Sequence, residues 1–410
     1  MSSNATRSFI TILTCSAGLP ALAAPAPVFA QCQYEVTIIQ APEEPWGTPA
    51  TRGTALNESG VVIGYFCNYL CDLYTPFRWT AENGFEALPH PPGATSAIPS
   101  GVNEAGIICG SSNSDEMRGY IYDHGEWTEL PPAPGGLWCT PAAISNGGKV
   151  VGKRSIGDGG NPENAFIWTE ADGFLDLGTM DSSESAARDV NEVGQVVGFR
   201  GILAATDEAF LWEDGKLTFL GPIPGGENSH ASAITSDGII LVNGRVTAAD
   251  GGLFLRGWLW RDGWYESMPV LPGYEHTGAG DMNDRLQAVG KATRSGPWSF
   301  RAVLWQDGTL YDLNDLVDLV DADLESGWAI TNGGLILANG EIGVGGKDAT
   351  FLLTPIDPPT GDVDGDCDVD VSDLLCVLDE WGQTDSWADI NEDGVVNVFD
   401  LLELFAEWTG

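Results

Sequence analysis

One pattern recurs seven times along this chain of 410 residues and limits its fold more than any other feature. A small polar residue, two variable residues and Gly precede a short apolar run that ends near a second Gly. It reads Asn57–Gly60 before Val61-Val62-Ile63-Gly64, and Asn103–Gly106 before Ile107-Ile108-Cys109-Gly110. Ser145–Gly148 and Asn191–Gly194 continue it, followed by copies at Thr235, Asn283 (with Leu286 in place of Gly) and Thr331. The spacings are 46, 42, 46, 44, 48 and 48 residues. Self-similarity at such a period marks a repeat architecture, in which each unit buries its apolar face against the next.

Each copy also carries an aromatic-rich segment, such as Pro76-Phe77-Arg78-Trp79, Ala165-Phe166-Ile167-Trp168 and Ala209-Phe210-Leu211-Trp212. A further short segment follows a Gly-containing turn, as in Gly84 to Leu88 and Gly215 to Leu220. Short apolar runs between Gly and Asn turns read as strands. With the segment before each Asn, every repeat supplies four. Four strands every ~45 residues is the arithmetic of a propeller blade. The expected fold is therefore all-β, a seven-bladed β-propeller over residues 31–356. The last repeat has only three strands, finishing at Asp348–Thr354, so the orphan strand Tyr34–Ile39 is expected to complete it and remove a free edge. An open solenoid would instead need capping repeats. The Asn-x-x-Gly-x-Val-Val-Gly and Ala-Phe-Leu-Trp patterns resemble the HAF-type repeats of bacterial extracellular proteins. That resemblance implies export and a propeller-like fold, without implying a chemistry.

Arg7, an apolar stretch from Phe9 to Leu19 and small residues at Ala21-Leu22-Ala23 and Val28-Phe29-Ala30 have the layout of a secretory signal peptide over residues 1–30. Cleavage is expected after Ala30. A membrane anchor would need about 20 apolar residues, and no later segment is long enough to span. The chain is read as secreted, extracellular or cell-surface associated. Seven cysteines remain after removal of Cys15: Cys32, Cys67, Cys71, Cys109, Cys139, Cys367 and Cys376. Export favours disulfides among them, with one left over. Cys67/Cys71 and Cys367/Cys376 are the nearest pairs, and spacing alone does not fix connectivity. No C-x-x-C occurs and there are four His, which argues against zinc.

With 18 Lys+Arg against 59 Asp+Glu, the formal charge is −41. Neutralising phosphates takes clustered cations, so nucleic acid is excluded as a partner. Beyond a stiff linker at 357–361, residues 362–410 hold 15 acids and no Lys or Arg. Their spacing is ordered. Asp362, Asp364, Asp366, Asp368, Asp370 and Asp373 occupy positions 1, 3, 5, 7, 9 and 12 of a loop. Asp389, Asn391, Asp393, Val395, Asn397 and Asp400 repeat the frame 27 residues later. Ca²⁺ takes 6–8 oxygens, and a 12-residue loop presents them at these offsets, with a backbone carbonyl at position 7. Two Ca²⁺ sites are therefore expected. Each loop runs into an amphipathic segment: Leu374, Leu375, Val377, Leu378 and Trp381 mirror Leu401, Leu402, Leu404, Phe405 and Trp408. These are expected to form helix faces that pack the two units together.

Asp at position 12, and a Pro-rich linker where a leading helix would stand, separate the module from a complete EF-hand. It resembles a type I dockerin across 362–410. The resemblance implies docking onto a cohesin-like partner or surface scaffold, with partner choice at positions 10 and 11: Val371, Ser372, Val398 and Phe399. Cys367 stands where Gly is expected at position 6, and a Cys367–Cys376 disulfide would offset that change.

No H-E-x-x-H, G-x-S-x-G, phosphate-binding loop or dinucleotide fingerprint appears. Loops leading into the first strands carry Glu184, Glu227, His230, Glu275, His276, Glu325 and Trp328. Glu227 with His230 and Glu275 with His276 occupy matching places in adjacent repeats. They are the weak catalytic candidates, since Glu/His pairs serve acid–base work. The favoured function is a secreted, calcium-binding interaction protein whose propeller face holds a glycan or protein. The alternative is a secreted carbohydrate-active enzyme, a glycosidase or lyase acting on polysaccharide.

Overall fold

The structure is a computed structural model. It describes residues 34–44, 49–67, 71, 73–112, 117–131, 136–156, 163–178, 184–202, 206–226, 228–247, 251–296, 298–343, 346–356, 360–363, 369, 371–384, 386, 388–391 and 393–408. The chain divides into a compact unit of Tyr34–Thr354 and a second unit to which Pro355–Gly410 belongs.

The first unit is built from antiparallel strands. After β1 (Tyr34–Ile39), one sheet takes β2 (Ala50–Leu56), β3 (Val62–Cys67), β4 (Tyr74–Thr80) and β5 (Gly84–Ala87). The next takes β6 (Ala97–Val102), β7 (Ile108–Ser112), β8 (Gly119–Asp123) and β9 (Glu126–Glu129). An eight-stranded sheet follows. Its first half is β10 (Cys139–Ile144), β11 (Val150–Ser155), β12 (Glu163–Thr169) and β13 (Gly173–Asp176). Its second half is β14 (Glu184–Val190), β15 (Val196–Ile202), β16 (Thr206–Glu213) and β17 (Lys216–Phe219). The halves meet through one parallel pair, Glu163 and Glu184.

Two further four-stranded sheets are β18 (His230–Ile234), β19 (Ile240–Thr247), β20 (Leu253–Arg261), β21 (Trp264–Ser267), and β22 (His276–Met282), β23 (Ala288–Arg294), β24 (Ser299–Gln306), β25 (Thr309–Asp312). The last sheet runs β1, β28 (Lys347–Pro355), β27 (Ile336–Ile342), β26 (Ala322–Ile330). The orphan N-terminal strand thus lies beside the final strand of the unit, as the repeat count requires.

The first strands form the innermost layer. β2, β6, β10, β14, β18, β22 and β26 each lie against the next, and β26 lies against β2. Apolar clusters straddle neighbouring sheets. Val289 and Leu304 join Leu324 and Phe351, while Leu337 and Leu352 join Val62 and Phe77. Phe77, Phe166, Phe210 and Phe351 are fully buried, each contributing roughly 1.5–3 kcal/mol of apolar burial.

The repeat motif has a local cause. Asn57 Oδ1 accepts from Val61 N–H at 2.8 Å, closing its own turn, while its Nδ2 donates to Asn103 O at 2.9 Å in the next copy. Asn103 donates likewise to Ser145 O, Asn191 to Thr235 O and Asn283 to Thr331 O. Leu286, standing where other copies have Gly, keeps the positive φ of that turn at 62°. The second glycine answers a close approach. β2 bulges between Gly53 and Ala55, and a Cβ on Gly64 would lie 2.1 Å from Arg52 O.

The second unit has two short helices, α1 (Val371–Asp379) and α2 (Val398–Ala406). Its core holds Val369, Val377, Ala388, Val396 and Leu404, with Leu401 and Trp408 packed against it. Leu375, Leu378, Leu402 and Phe405 do not join that core, contrary to the expectation from their spacing; all four are exposed. Nine-residue helices have room for one inward stripe, and Asp373 and Asp400 take part of it: both are fully buried. No helix among the described residues is long and apolar enough to cross a membrane.

Candidate functional site

The residue after each repeat Asn proves to be the least anticipated feature. Glu58 N–H donates to Glu104 Oε1 at 2.7 Å, Glu104 N–H to Asn146 Oδ1 at 2.8 Å, and Asn146 N–H to Glu192 Oε1 at 2.9 Å. Ser236 N–H donates to Asp284 Oδ1 at 2.7 Å, Asp284 N–H to Asn332 Oδ1 at 2.8 Å, and Asn332 N–H to Glu58 Oε1 at 2.8 Å. Ser236 has only a short hydroxyl where the others carry an amide or carboxylate. Sequence reading passed over these residues because the position varies among Glu, Asn, Asp and Ser.

Within the inner layer, bulges in β14 and β22 place Asp189 and Asp281 at matching sites. Asp189 Oδ2 accepts from Ile234 N–H, and Asp281 Oδ2 from Ile330 N–H, both at 2.9 Å and both in the following sheet. Each keeps some contact with water yet is crowded by protein. Loss of solvation pushes both carboxyls up, Asp281 to about 7, with Asp189 and Glu58 adding repulsion at Asp281.

Three of the four catalytic candidates fall among the described residues. Glu227 lies outside the described residues. His230 Nε2 meets Asp207 Oδ2 at 2.7 Å, and its ring lies 4.5 Å from that of Phe199. His276 Nδ1 accepts from Leu255 N–H at 3.1 Å beside Phe254. Glu275 Oε2 accepts from Ser295 N–H at 2.8 Å, and its carbonyl accepts from Arg256. Glu184, at the start of β14, forms the pair with Glu163 already noted. Glu325 and Trp328, expected in a loop, lie within β26 at its two bulges, and Trp328 Nε1 donates to Thr54 O at 2.7 Å.

A charged set that the sequence did not single out gathers near Glu325. Burial raises its carboxyl, Glu341 and Asp348 add to the rise, and Lys291 opposes it. Lys291 is lowered, first by burial. Its ammonium lies 3.7 Å from the centroid of Phe300. Arg52 forms a two-pronged pair with Asp348, both bonds at 3.1 Å. These residues come from three sheets.

In the second unit, Asp364, Asp366, Cys367, Asp368 and Asp370 lie outside the described residues. Asp362 and Asp373 are described, and Asp373 Oδ1 accepts from Val363 N–H at 2.6 Å. The second expected loop is described apart from residue 392. Asp389 accepts from Asp393 N–H and Gly394 N–H, Asn391 from Asp393 N–H, and Asp393 from Val395 N–H. Asn397 accepts from Phe399 N–H, while Asp400 accepts from Asn397 N–H in a reciprocal cap. Gly394 at position 6 has φ +96°. Among the described residues no group of three or more His, Cys, Asp or Glu side chains converges to hold a metal. The donors are nonetheless all oxygens, and the sharp turn at Gly394 is the one a calcium loop needs, so the chemistry of the loop fits that ion.

Val371, Leu375 and Leu378 on α1, and Val398, Leu402 and Phe405 on α2, are exposed at matching positions, with Phe399 beside them. Ser372 is exposed as well. Cys67 and Cys71 are joined by a disulfide. Cys109 and Cys139 are buried thiols, each pushed up to about 12 by desolvation.

No known protein family matches the chain, and no curated protein matches it either. Among solved structures it is similar to the β-propeller domain of the Trilobed protease from Pyrococcus furiosus, described there as having an open velcro topology. The identity is 12%, over 74% of this chain and 93% of that one, with a TM-score of 0.51. It also aligns with virginiamycin B lyase from Staphylococcus aureus at 12% identity, over 79% and 100% of the two chains, TM-score 0.45. TolB from Acinetobacter baumannii aligns at 12% identity, over 71% and 63%, TM-score 0.42. Likeness at this level concerns the fold alone: residues 34–354 form a β-propeller.

Proposed function

We propose that this protein is a secreted, calcium-dependent interaction protein: a seven-bladed propeller offering a ligand face, followed by a dockerin-like module that docks to a cohesin-like partner or surface scaffold. The observation that carries the reading is the duplicated module. Two loop–helix units 27 residues apart bury an Asp at position 12 and leave apolar triplets at matching positions in water, Val371/Leu375/Leu378 and Val398/Leu402/Phe405. Apolar side chains repeated on matching exposed positions suit a partner surface better than chance exposure. The seven-blade count is supported by the inner layer, in which β26 returns to β2, and by the placing of β1 beside β28.

Calcium would be held in the second loop by Asp389, Asn391, Asp393, the Val395 carbonyl, Asn397 and Asp400. Asp362, Asp364, Asp366, Asp368, Asp370 and Asp373 would serve the first. The bound ions would neutralise part of the module's 15 carboxylates, which have no Lys or Arg among them. Asp400 links loop to helix, because its oxygens hold Asn391 N–H and Asn397 N–H. Calcium occupancy would in this way set the start of α2 and the presentation of Val398 and Phe399.

The test is capture from the native secretome with the intact protein, in calcium and in chelator, followed by reconstitution with the purified partner. Binding is expected in calcium, with loss in chelator and in a Leu375→Asp/Leu402→Asp double variant. A partner held equally well in chelator would contradict the reading.

A further inference from the structure

Trp298, in the loop between β23 and β24, stacks against Phe300 at the start of β24. Trp298 lies nearly parallel to Phe300, with ring centroids 6.4 Å apart and planes 23° apart, and its side chain is 71% exposed. The Lys291 ammonium lies 3.7 Å from the Phe300 centroid, which fixes that ring. The loop itself is tied down, since Ser295 N–H donates to Glu275 Oε2 at 2.8 Å. Tyr274, from the segment before β22, brings its Oη within 3.3 Å of Ser299 Oγ at the start of β24. The indole is stacked on one neighbour and otherwise open to solvent.

We propose that Trp298 is a stacking platform for an uncharged sugar ring, with Phe300 and Lys291 supporting it and Glu275 positioning the loop. This rests on the reading of the propeller as a ligand-binding protein and names one ligand class for it. The chemistry selects the class. A pyranose offers a flat C–H face to an aromatic plane while its hydroxyls stay in water or meet polar groups at the edge. The Lys291 ammonium, 3.7 Å from the Phe300 centroid, gives a hydrogen-bond donor beside the stack. A donor beside an aromatic plane suits a hydroxylated ring. A formal charge of −41 works against polyanions, so neutral glycans are favoured over acidic ones. The stack is open rather than enclosed, which suits a polymer passing across it.

The experiment is affinity electrophoresis of the full-length protein through gels containing hydroxyethylcellulose, arabinoxylan, glucomannan or mixed-linkage β-glucan. Trp298→Ala is compared with Trp264→Ala, which removes another exposed indole, at the start of β21 in a different sheet (81% exposed). Retardation by at least one polysaccharide is expected, weakened about tenfold in Trp298→Ala and unchanged in Trp264→Ala. Trp298→Phe should retain part of the binding. Retardation that survives Trp298→Ala overturns the platform while leaving a ligand-binding propeller in place. No retardation in any gel overturns the sugar assignment, and calcium-dependent capture of a protein partner would then still support the broader function.

Discussion

Glu58 and Asn332 are 274 residues apart in the chain, yet the Asn332 backbone N–H is held by both Glu58 carboxylate oxygens, at 2.8 and 2.9 Å. The bond joins the last repeat turn to the first and uses the same atoms as the links between successive turns. Side-chain-to-backbone bonds of this kind link six of the seven pairs of successive turns, the step from Glu192 to Ser236 being the exception. Their acceptors vary among Glu, Asn and Asp from copy to copy.

Removing that acceptor should be felt. Glu58→Ala is expected to lower unfolding stability by about 1 kcal/mol, whereas Glu58→Gln, which keeps an acceptor oxygen, should lose less. Urea denaturation of the two variants against the parent checks this, since the difference between them isolates the bond from side-chain volume.

The same bonds predict a gain of stability at Ser236. Glu192 N–H is where the pattern would seek the side chain at 236, and a hydroxyl is too short to serve as its neighbours do. Ser236→Asn should raise the unfolding midpoint, by roughly 0.5–1 kcal/mol if the new amide reaches that N–H. A decrease would mean that the turn at Thr235 does not admit the longer side chain.

Asp281 makes a prediction in pH. Its folded pKa, about 7, stands above the ordinary carboxyl value, so the folded protein holds a proton that the unfolded chain releases. The contribution is fully present below about pH 4 and is lost as pH rises to about 7. Asp281→Asn keeps an oxygen for Ile330 N–H and removes the titration. It should therefore match the parent near pH 4 and exceed it in stability at pH 8. Thermal unfolding at several pH values, read as the difference between variant and parent, tests the sign.

The sequence made the strands legible because turn chemistry is local: Asn57, Gly60 and their counterparts act within four residues of themselves. The N-terminal strand was legible too, since a repeat lacking its fourth strand needs one from elsewhere. What stayed hidden depends on contacts between distant segments. Glu58 has no local role that marks it, and Lys291, Glu325 and Arg52 meet only because three sheets bring them together. Trp328 was misplaced into a loop because a double bulge in β26 cannot be read from composition. On the module helices, apolar spacing gave the periodicity but not which stripe faces inward, as Leu375 and Leu402 illustrate.

Calcium is the claim on which the docking account depends, and calorimetric titration of the full-length protein tests it most directly. The prediction is two Ca²⁺ per chain with a gain of helical circular dichroism, falling to one in an Asp389→Ala/Asp400→Ala variant. Absence of binding, with no change in helix content, would contradict it.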